Sequence, residues 1–433
     1  MKHLLVAALA LISTPALAAP PSAAERMMIA TVDAEQGRTL ALLERAVNQN
    51  SGTRNLAGVK AVHDILAPEF AALGFAVRWV PQDAAGRAGH LVATHKGKPG
   101  LKRLLLIGHL DTVFEPDSGF LKFERSDEAH ARGPGVSDDK GGDVTMLAAL
   151  RAMAKAGTLK NANIEVVLTG DEEEVGLPLE TARADLVAEG KRADVALDFE
   201  GLAQDNGHDM GSVARRSAGN WTLTVTARSG HSSGVFGESV GDGAIYAAAR
   251  ILAAFRAELP EPNLTLNAAL IGGGATALLG DDQARIEATG KTNIIPAQAL
   301  VKGDIRALSQ EQIERVEAKM QAIAARSYPG AKAGIEFENK YPPMAPTAGN
   351  RALLDELNAV NATLGLEPMG ALDPLKRGAG DISFVAADVD GLVGLGPASD
   401  GSHTANEVVD VQSISKQAKR AAILMSRLAK ERR

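Results

Sequence analysis

Short apolar runs in this chain repeatedly end on side chains suited to binding metal ions. Leu104-Leu105-Leu106-Ile107 leads into Gly108-His109-Leu110-Asp111, and Ile164-Glu165-Val166-Val167-Leu168 leads into Thr169-Gly170-Asp171-Glu172-Glu173-Glu174. Val195-Ala196-Leu197 leads into Asp198-Phe199-Glu200, and Leu392-Val393-Gly394-Leu395 precedes the loop that holds His403. A Gly-rich segment, Gly133-Pro134-Gly135-Val136-Ser137-Asp138-Asp139-Lys140-Gly141-Gly142, contributes Asp138. Short apolar runs alternating with helical stretches read as buried strands of an α/β sheet. Sites in such sheets form in the crevice outside the carboxyl ends of the strands. A mixture of imidazole and carboxylate donors suits zinc or a related divalent ion.

The chain has 433 residues, too many for one compact core, and this length suggests two domains. A net charge of -7 gives no electrostatic reason to expect nucleic acid. An aromatic content of 3% argues against recognition by base stacking. Cysteine is absent, which excludes thiolate ligands and disulfides and suits an oxidising compartment. Met1-Lys2-His3, the apolar stretch from Leu4 to Ile12 and the Ala16-Leu17-Ala18 cleavage pattern read as a secretory signal over residues 1–18. The mature chain then starts at Ala19 and is periplasmic or secreted. No later stretch is long and apolar enough to predict a membrane span.

The pattern is helical from 24 to about 73, and strands are expected around 77–80 and 90–94. The strand ending at His109 is followed by the Gly-rich loop and a helix over about 143–156. Near Met210 the character changes. Trp221 to Ala227 alternates with period two, a helix is expected over 242–259, and strands over 264–271 and 300–306. A second helix over 309–325 and a strand at 334–338 complete a βαββαβ order, that of a ferredoxin-like module. The fold class is therefore α/β: a doubly wound mixed-sheet unit over 19–211 and 342–433, interrupted by a lid or dimerisation module over 212–341.

His109 and Asp111 are two apart at a strand end and point to the same side, so the carboxylate can orient the imidazole. Asp138 opens a helix, where its ordinary role would be an N-cap. Four consecutive carboxylates at 171–174 are costly at a strand end unless a cation compensates them. Such neighbours can divide labour between metal binding and proton transfer. Glu200 and His403 each have a bland surface explanation on their own, but five bland explanations at five such places do not combine well. His63, His90, His95, His130 and His208 lack this placement and read as structural or surface residues.

Together these segments resemble the motifs of a zinc metallopeptidase family that includes aminoacylases, acetylornithine deacetylase, succinyl-diaminopimelate desuccinylase, tripeptidase T and the glutamate carboxypeptidases. The resemblance covers essentially the whole mature chain and is nearest to the exported glutamate carboxypeptidases. It implies two zinc ions per subunit, with cobalt or manganese as substitutes. Asp138 would bridge them, His109 and Glu200 would complete one set of ligands, and Glu173 and His403 the other. Glu172 matches the general base and Asp111 the residue that orients the histidine. The family's glutamate pair is usually followed by one residue and a glycine, whereas here Glu174 and Val175 both precede Gly176. Counting forward from the strand gives Glu172 and Glu173 as base and ligand; counting back from Gly176 gives Glu173 and Glu174. The strand end fixes where side chains emerge and favours the first.

In the module, His231 matches a histidine that reaches into a partner subunit's site, which implies a homodimer. Asn293 and Arg306 match residues that hold the substrate's free carboxylate, a task for which the arginine fork is suited. Gly380, in Gly378-Ala379-Gly380-Asp381, matches a turn near that carboxylate. The implied activity is exo-hydrolysis of a peptide or N-acyl amino acid beside a free carboxylate, of the glutamate carboxypeptidase type. An aminoacylase or dipeptidase is the nearest alternative, and a catalytically inactive periplasmic binding protein on this scaffold is a remote one.

Overall fold

The computed structural model describes residues 20–281 and 283–433, so the expected signal segment lies outside the described residues. In chain order the strands of the two main sheets are β1 (Ala76–Pro81), β2 (Gly89–His95), β3 (Arg103–His109), β4 (Asn163–Thr169), β5 (Val195–Asp198), β6 (Ala218–Ala227), β7 (Thr265–Gly274), β8 (Gln298–Arg306), β9 (Ala331–Tyr341) and β10 (Gly391–Val393). The first sheet runs β1-β2-β4-β3-β5-β10. Its β1/β2 and β2/β4 pairs are antiparallel, whereas β4/β3, β3/β5 and β5/β10 are parallel. It is the mixed sheet of an α/β protein, as the sequence suggested.

Strand β3 is buried from Leu104 to His109, which is why it reads as a continuous apolar run rather than an alternating one. Leu104 and Leu106 face a large core shared with helices α1 (Lys140–Lys155) and α4 (Val411–Leu428). Leu105 and Ile107 face a smaller core with Leu186, Ile382 and Val385. After β3 the chain crosses through α1 to β4 on one side, then returns to β5 on the other side of β3. That reversal opens a crevice at the carboxyl ends of β3, β4 and β5.

The sequence suggested a Gly-rich loop and a helix starting near Asp143, but α1 already begins at Lys140 and contains Gly141 and Gly142. These glycines serve close packing. A Cβ on Gly142 would lie 2.1 Å from the Phe199 carbonyl, and one on Gly141 would lie 2.4 Å from the Val136 carbonyl.

The second sheet runs β7-β8-β6-β9 and is antiparallel throughout. Helices α2 (Ala244–Glu258) and α3 (Gln310–Ala324) complete the order βαββαβ. The alternation in β6 turns Trp221, Leu223 and Val225 toward Ile251, Phe255, Val316 and Met320. The two connecting segments pair with each other, Arg215 and Met344 exchanging both backbone hydrogen bonds at 2.9 Å.

Strand β4 also carries a polar oddity. Glu165 accepts a hydrogen bond from the Thr94 hydroxyl at 2.8 Å, and partial burial, reinforced by nearby Glu189, pushes its carboxyl up to about 7. The folded state therefore holds this proton more tightly than the unfolded chain. The associated stability is complete below the ordinary value of 4.5 and is lost as pH rises through about 7. Glu165→Gln keeps the group polar without ionising. Its Tm should match the parent's near pH 5 and exceed it at pH 8; parallel curves in thermal melts would show that Glu165 does not titrate this way.

Candidate metal centre

His109 ends β3 with its ring buried. Its Nδ1 lies 3.1 Å from the Asp111 carbonyl and 3.3 Å from the Asp111 carboxylate, while Nε2 faces Asp138 Oδ1 at 3.1 Å. A proton on Nδ1 shared with Asp111 leaves Nε2 as the donor atom for a cation. The Asp111 carboxylate also accepts the backbone N–H groups of Glu172 (3.0 Å) and Glu173 (3.2 Å) and the Thr53 hydroxyl (2.6 Å). Burial alone would raise its pKa, but His109, Thr53 and the Glu172 amide outweigh burial and keep it low. Asp111 thus aims the histidine and fixes the backbone of the acidic run in one step.

Asp138 has its two oxygens turned to different neighbours. Oδ1 meets His109, and Oδ2 meets His403 Nε2 at 3.1 Å. The same His403 nitrogen lies 3.1 Å from Glu173 Oε2. His403 adopts φ +64°, a left-handed conformation that carries a cost of about 1–3 kcal/mol and tends to persist where function demands it. The loop bearing Asp138 is clamped by Glu407, whose carboxylate accepts the N–H groups of Gly135 (3.0 Å), Ser137 (2.9 Å) and Asp138 (3.1 Å). Glu407 is four residues beyond His403, so one loop delivers both a candidate ligand and the clamp on another.

The four consecutive carboxylates separate completely. Asp171 turns inward and is bound by Arg183 at 2.6 Å and by the Gly176 amide at 2.8 Å. Glu172 lies near His109 and Glu200. Glu173 reaches His403, and Glu174 turns outward to Arg54 (2.8 Å) and Arg87 (3.0 Å). Of the two ways of counting the glutamate pair, this geometry accompanies Glu172 and Glu173, because Glu174 is engaged by arginines at the rim. Cations do compensate the run, and at its two ends they are guanidinium groups of the protein itself, Arg183 on Asp171 and Arg54 and Arg87 on Glu174.

Glu200 follows β5. Its Oε1 lies 3.0 Å from Arg215 and its Oε2 3.1 Å from Arg377. Burial opposes its charge, but Arg215 and then Arg377 hold the carboxyl below its ordinary range. Arg215 also donates to the carbonyl oxygens of Gly378 (2.7 Å) and Ala379. A Cβ at Gly380 would come within 2.2 Å of Arg215 and 2.7 Å of Glu200, so this turn packs against the site only as glycine.

Donor atoms of His109, Asp138 and Glu173 all lie within 4.8 Å of one another, as do those of His109, Glu172 and Glu200. Two ligands each about 2.0–2.2 Å from a tetrahedral ion stand roughly 3.3–3.5 Å apart, close to the 3.1 Å separations here. The charge balance agrees. Burial, then Glu200, Asp381 and Glu173, push Glu172 well above the usual carboxylate range against His109, and burial pushes Glu173 up to about 7. The residues fit divalent cations: too many carboxylates are gathered for the protons and arginines available.

The module residues lie elsewhere. His231 is exposed, with Nδ1 2.8 Å from the Ser233 hydroxyl, and the Ser232 amide donates to the Asn293 carbonyl at 2.9 Å. These two residues therefore share one end of the module. Arg306 ends β8, 3.4 Å from Asp304, and the strand carries it roughly 26 Å from Gln298, the end that follows Asn293 in the chain.

Several residues of the site were missed from the sequence: Glu407, the arginines Arg183, Arg215 and Arg377, and Tyr341, whose hydroxyl donates to the Glu172 carbonyl. The signal for Glu407 was its place in the His403 loop. The arginines gave none, because neither the short spacings of Arg183 from Asp171 and Arg215 from Glu200 nor the long one of Arg377 from Glu200 matches a helix or strand period.

Residues 105–427 match the profile of Peptidase family M20/M25/M40. The chain is 26% identical over 404 residues to carboxypeptidase G2 of Pseudomonas sp. (strain RS-16), covering 90% of this chain and 89% of that protein. It is 29% identical over 321 residues to the succinyl-diaminopimelate desuccinylase of Novosphingobium aromaticivorans, covering 71% of this chain and 78% of the relative. Its fold is similar to that of a dinuclear metal-binding peptidase of the M20 family from Bacillus subtilis, with TM-score 0.63, 13% identity and coverage of 92% of this chain and 99% of the other. With the match spanning most of the sequence and the metal-suited cluster, this hydrolase belongs to peptidase family M20/M25/M40.

Proposed function

We propose that the chain is a metal-dependent exo-hydrolase that cleaves an amide bond beside a free carboxylate, a carboxypeptidase of the glutamate type. The observation that carries this reading is Asp138, with one oxygen on His109 and the other beside His403 and Glu173, and with Glu172 next to them. His109, Asp138, Glu200, Glu173 and His403 would hold two divalent ions, zinc first, with cobalt or manganese as substitutes. Bound there, such ions supply a water nucleophile at neutral pH and polarise the substrate carbonyl. Glu172 takes the water's proton and passes it to the leaving amine. Asp111 keeps His109 in the required tautomer, and Arg306 holds the free carboxylate.

His231 and Asn293 complete the site from a second copy. The module's exposed apolar surface at Phe236, Ile245, Tyr246, Ile271 and Leu278 supports this homodimer. Strand β7 is an edge of its sheet and offers backbone groups for pairing with another copy. The signal segment over residues 1–18 supports a periplasmic or secreted enzyme that scavenges peptides or N-acyl amino acids.

Similarity to a desuccinylase at 29% identity favours a second reading, hydrolysis of an N-acyl amino acid. One assay separates the two. Protein stripped with a chelator and reloaded with zinc is offered C-terminally varied dipeptides, N-acyl amino acids and N-succinyl amino acids. Zinc-dependent release of C-terminal glutamate from peptides supports the first reading; preference for N-succinyl or other N-acyl compounds supports the second. No zinc-dependent release from any of them contradicts both.

A further inference from the structure

We infer that Arg377 is a specificity residue that binds a second anionic group of the substrate, beyond the carboxylate assigned to Arg306. This deepens the proposed reading and rests on it. The starting point is the unequal role of the two arginines on Glu200. Arg215 is buried and locked, with Nε and one terminal nitrogen on the Gly378 and Ala379 carbonyls and the other terminal nitrogen 3.0 Å from Glu200 and 3.6 Å from Asp198. It already provides a fixed counter-charge to Glu200.

Arg377 touches Glu200 through a single terminal nitrogen at 3.1 Å. That bond occupies one of the five N–H groups a guanidinium carries. The side chain borders a polar cleft of about 370 Å³ that runs from Asp138 and Glu200 past Lys376, Gln204, Ser399 and Ser402. The cleft thus begins at candidate metal ligands and is flanked by two consecutive cations. Lys376 is tied to Asp205 at 2.6 Å, which leaves Arg377 as the cation nearer Glu200.

Charge sets the preference. A divalent ion on Glu200 supplies the positive charge that Arg377 otherwise gives it, and like charges beside one carboxylate repel. The guanidinium is better satisfied by an anion in the cleft, which it can bind through two parallel N–H···O bonds. Its backbone is already held, because Arg215 fixes the next two carbonyls. A carboxylate two to four bonds from the scissile amide, as in an acidic side chain or a diacid acyl group, has the chemistry to meet it.

The test uses the full-length mature protein loaded with zinc. Calorimetry compares glutarate with its monoamide, which has the same shape and one charge fewer, for the parent, Arg377→Met and Arg377→Lys. The parent should prefer glutarate by at least about 10-fold, Arg377→Met should lose that preference, and Arg377→Lys should recover part of it. In parallel, the kcat/KM ratio for a substrate with a glutamate side chain over its glutamine counterpart should fall at least about 30-fold in Arg377→Met, mainly through KM. Equal losses on charged and uncharged ligands would mean that Arg377 only positions Glu200 and would overturn the assignment. Absence of turnover by the parent overturns the functional reading instead, while glutarate binding still decides the role of Arg377.

Discussion

Replacing Glu172 by glutamine leaves the zinc content unchanged and lowers kcat by about 10²–10⁴-fold, the range that a positioned general base contributes. The side chain sits beside His109 and Glu200, and its backbone amide is held at 3.0 Å by Asp111. Burial and the neighbouring carboxylates push its proton affinity well up. Cations on the surrounding ligands would lower that affinity again, so that the group can both accept and return a proton. Glutamine keeps the volume and polar contacts and cannot accept a proton. Zinc per chain by atomic absorption should equal the parent's, while steady-state assays read the loss in kcat. Unchanged kcat would move the base to Glu173 or elsewhere, and loss of zinc would make Glu172 a ligand.

Asp138→Asn should be more damaging. Asp138 is the only described residue with one oxygen on His109 and the other on His403. Asparagine preserves its backbone contact with Glu407 and most of its shape but gives up the charge and one of the two oxygen donors. Zinc should fall from two ions per chain to one or none, and kcat/KM should drop at least about 10³-fold, since the nucleophile and the carbonyl are both served by the pair. Circular dichroism should stay unchanged because the Glu407 clamp remains. Two tightly held zinc ions in this variant would show that Asp138 does not bridge them.

Much of this was legible because the chemistry sits at strand ends. The run before His109 is apolar on both faces, so its burial and the emergence of His109 at its end could be read directly. The alternation of β6 likewise disclosed a sheet covered on one side. What could not be read was pairing across long stretches of chain. Arg377 lies 177 residues from Glu200 in sequence, yet the two meet. No local periodicity encodes such a meeting, because it is set by how two connectors and a turn dock. Glycine was also ambiguous. Gly141 and Gly142 read as loop, yet they lie inside a helix that packs closely on Phe199 and Val136. Asn293 and Arg306 matched one task from sequence, and only the backbone pairings show that Asn293 sits beside the His231 turn whereas Arg306 ends β8.

Anomalous diffraction at the zinc edge, from crystals of the zinc-loaded protein, decides whether Asp138 joins two metal ions. Two peaks about 3.5–4 Å apart are expected on either side of Asp138, one near His109 and Glu200 and the other near His403 and Glu173. A single peak, or a pair of peaks away from Asp138, would contradict that role.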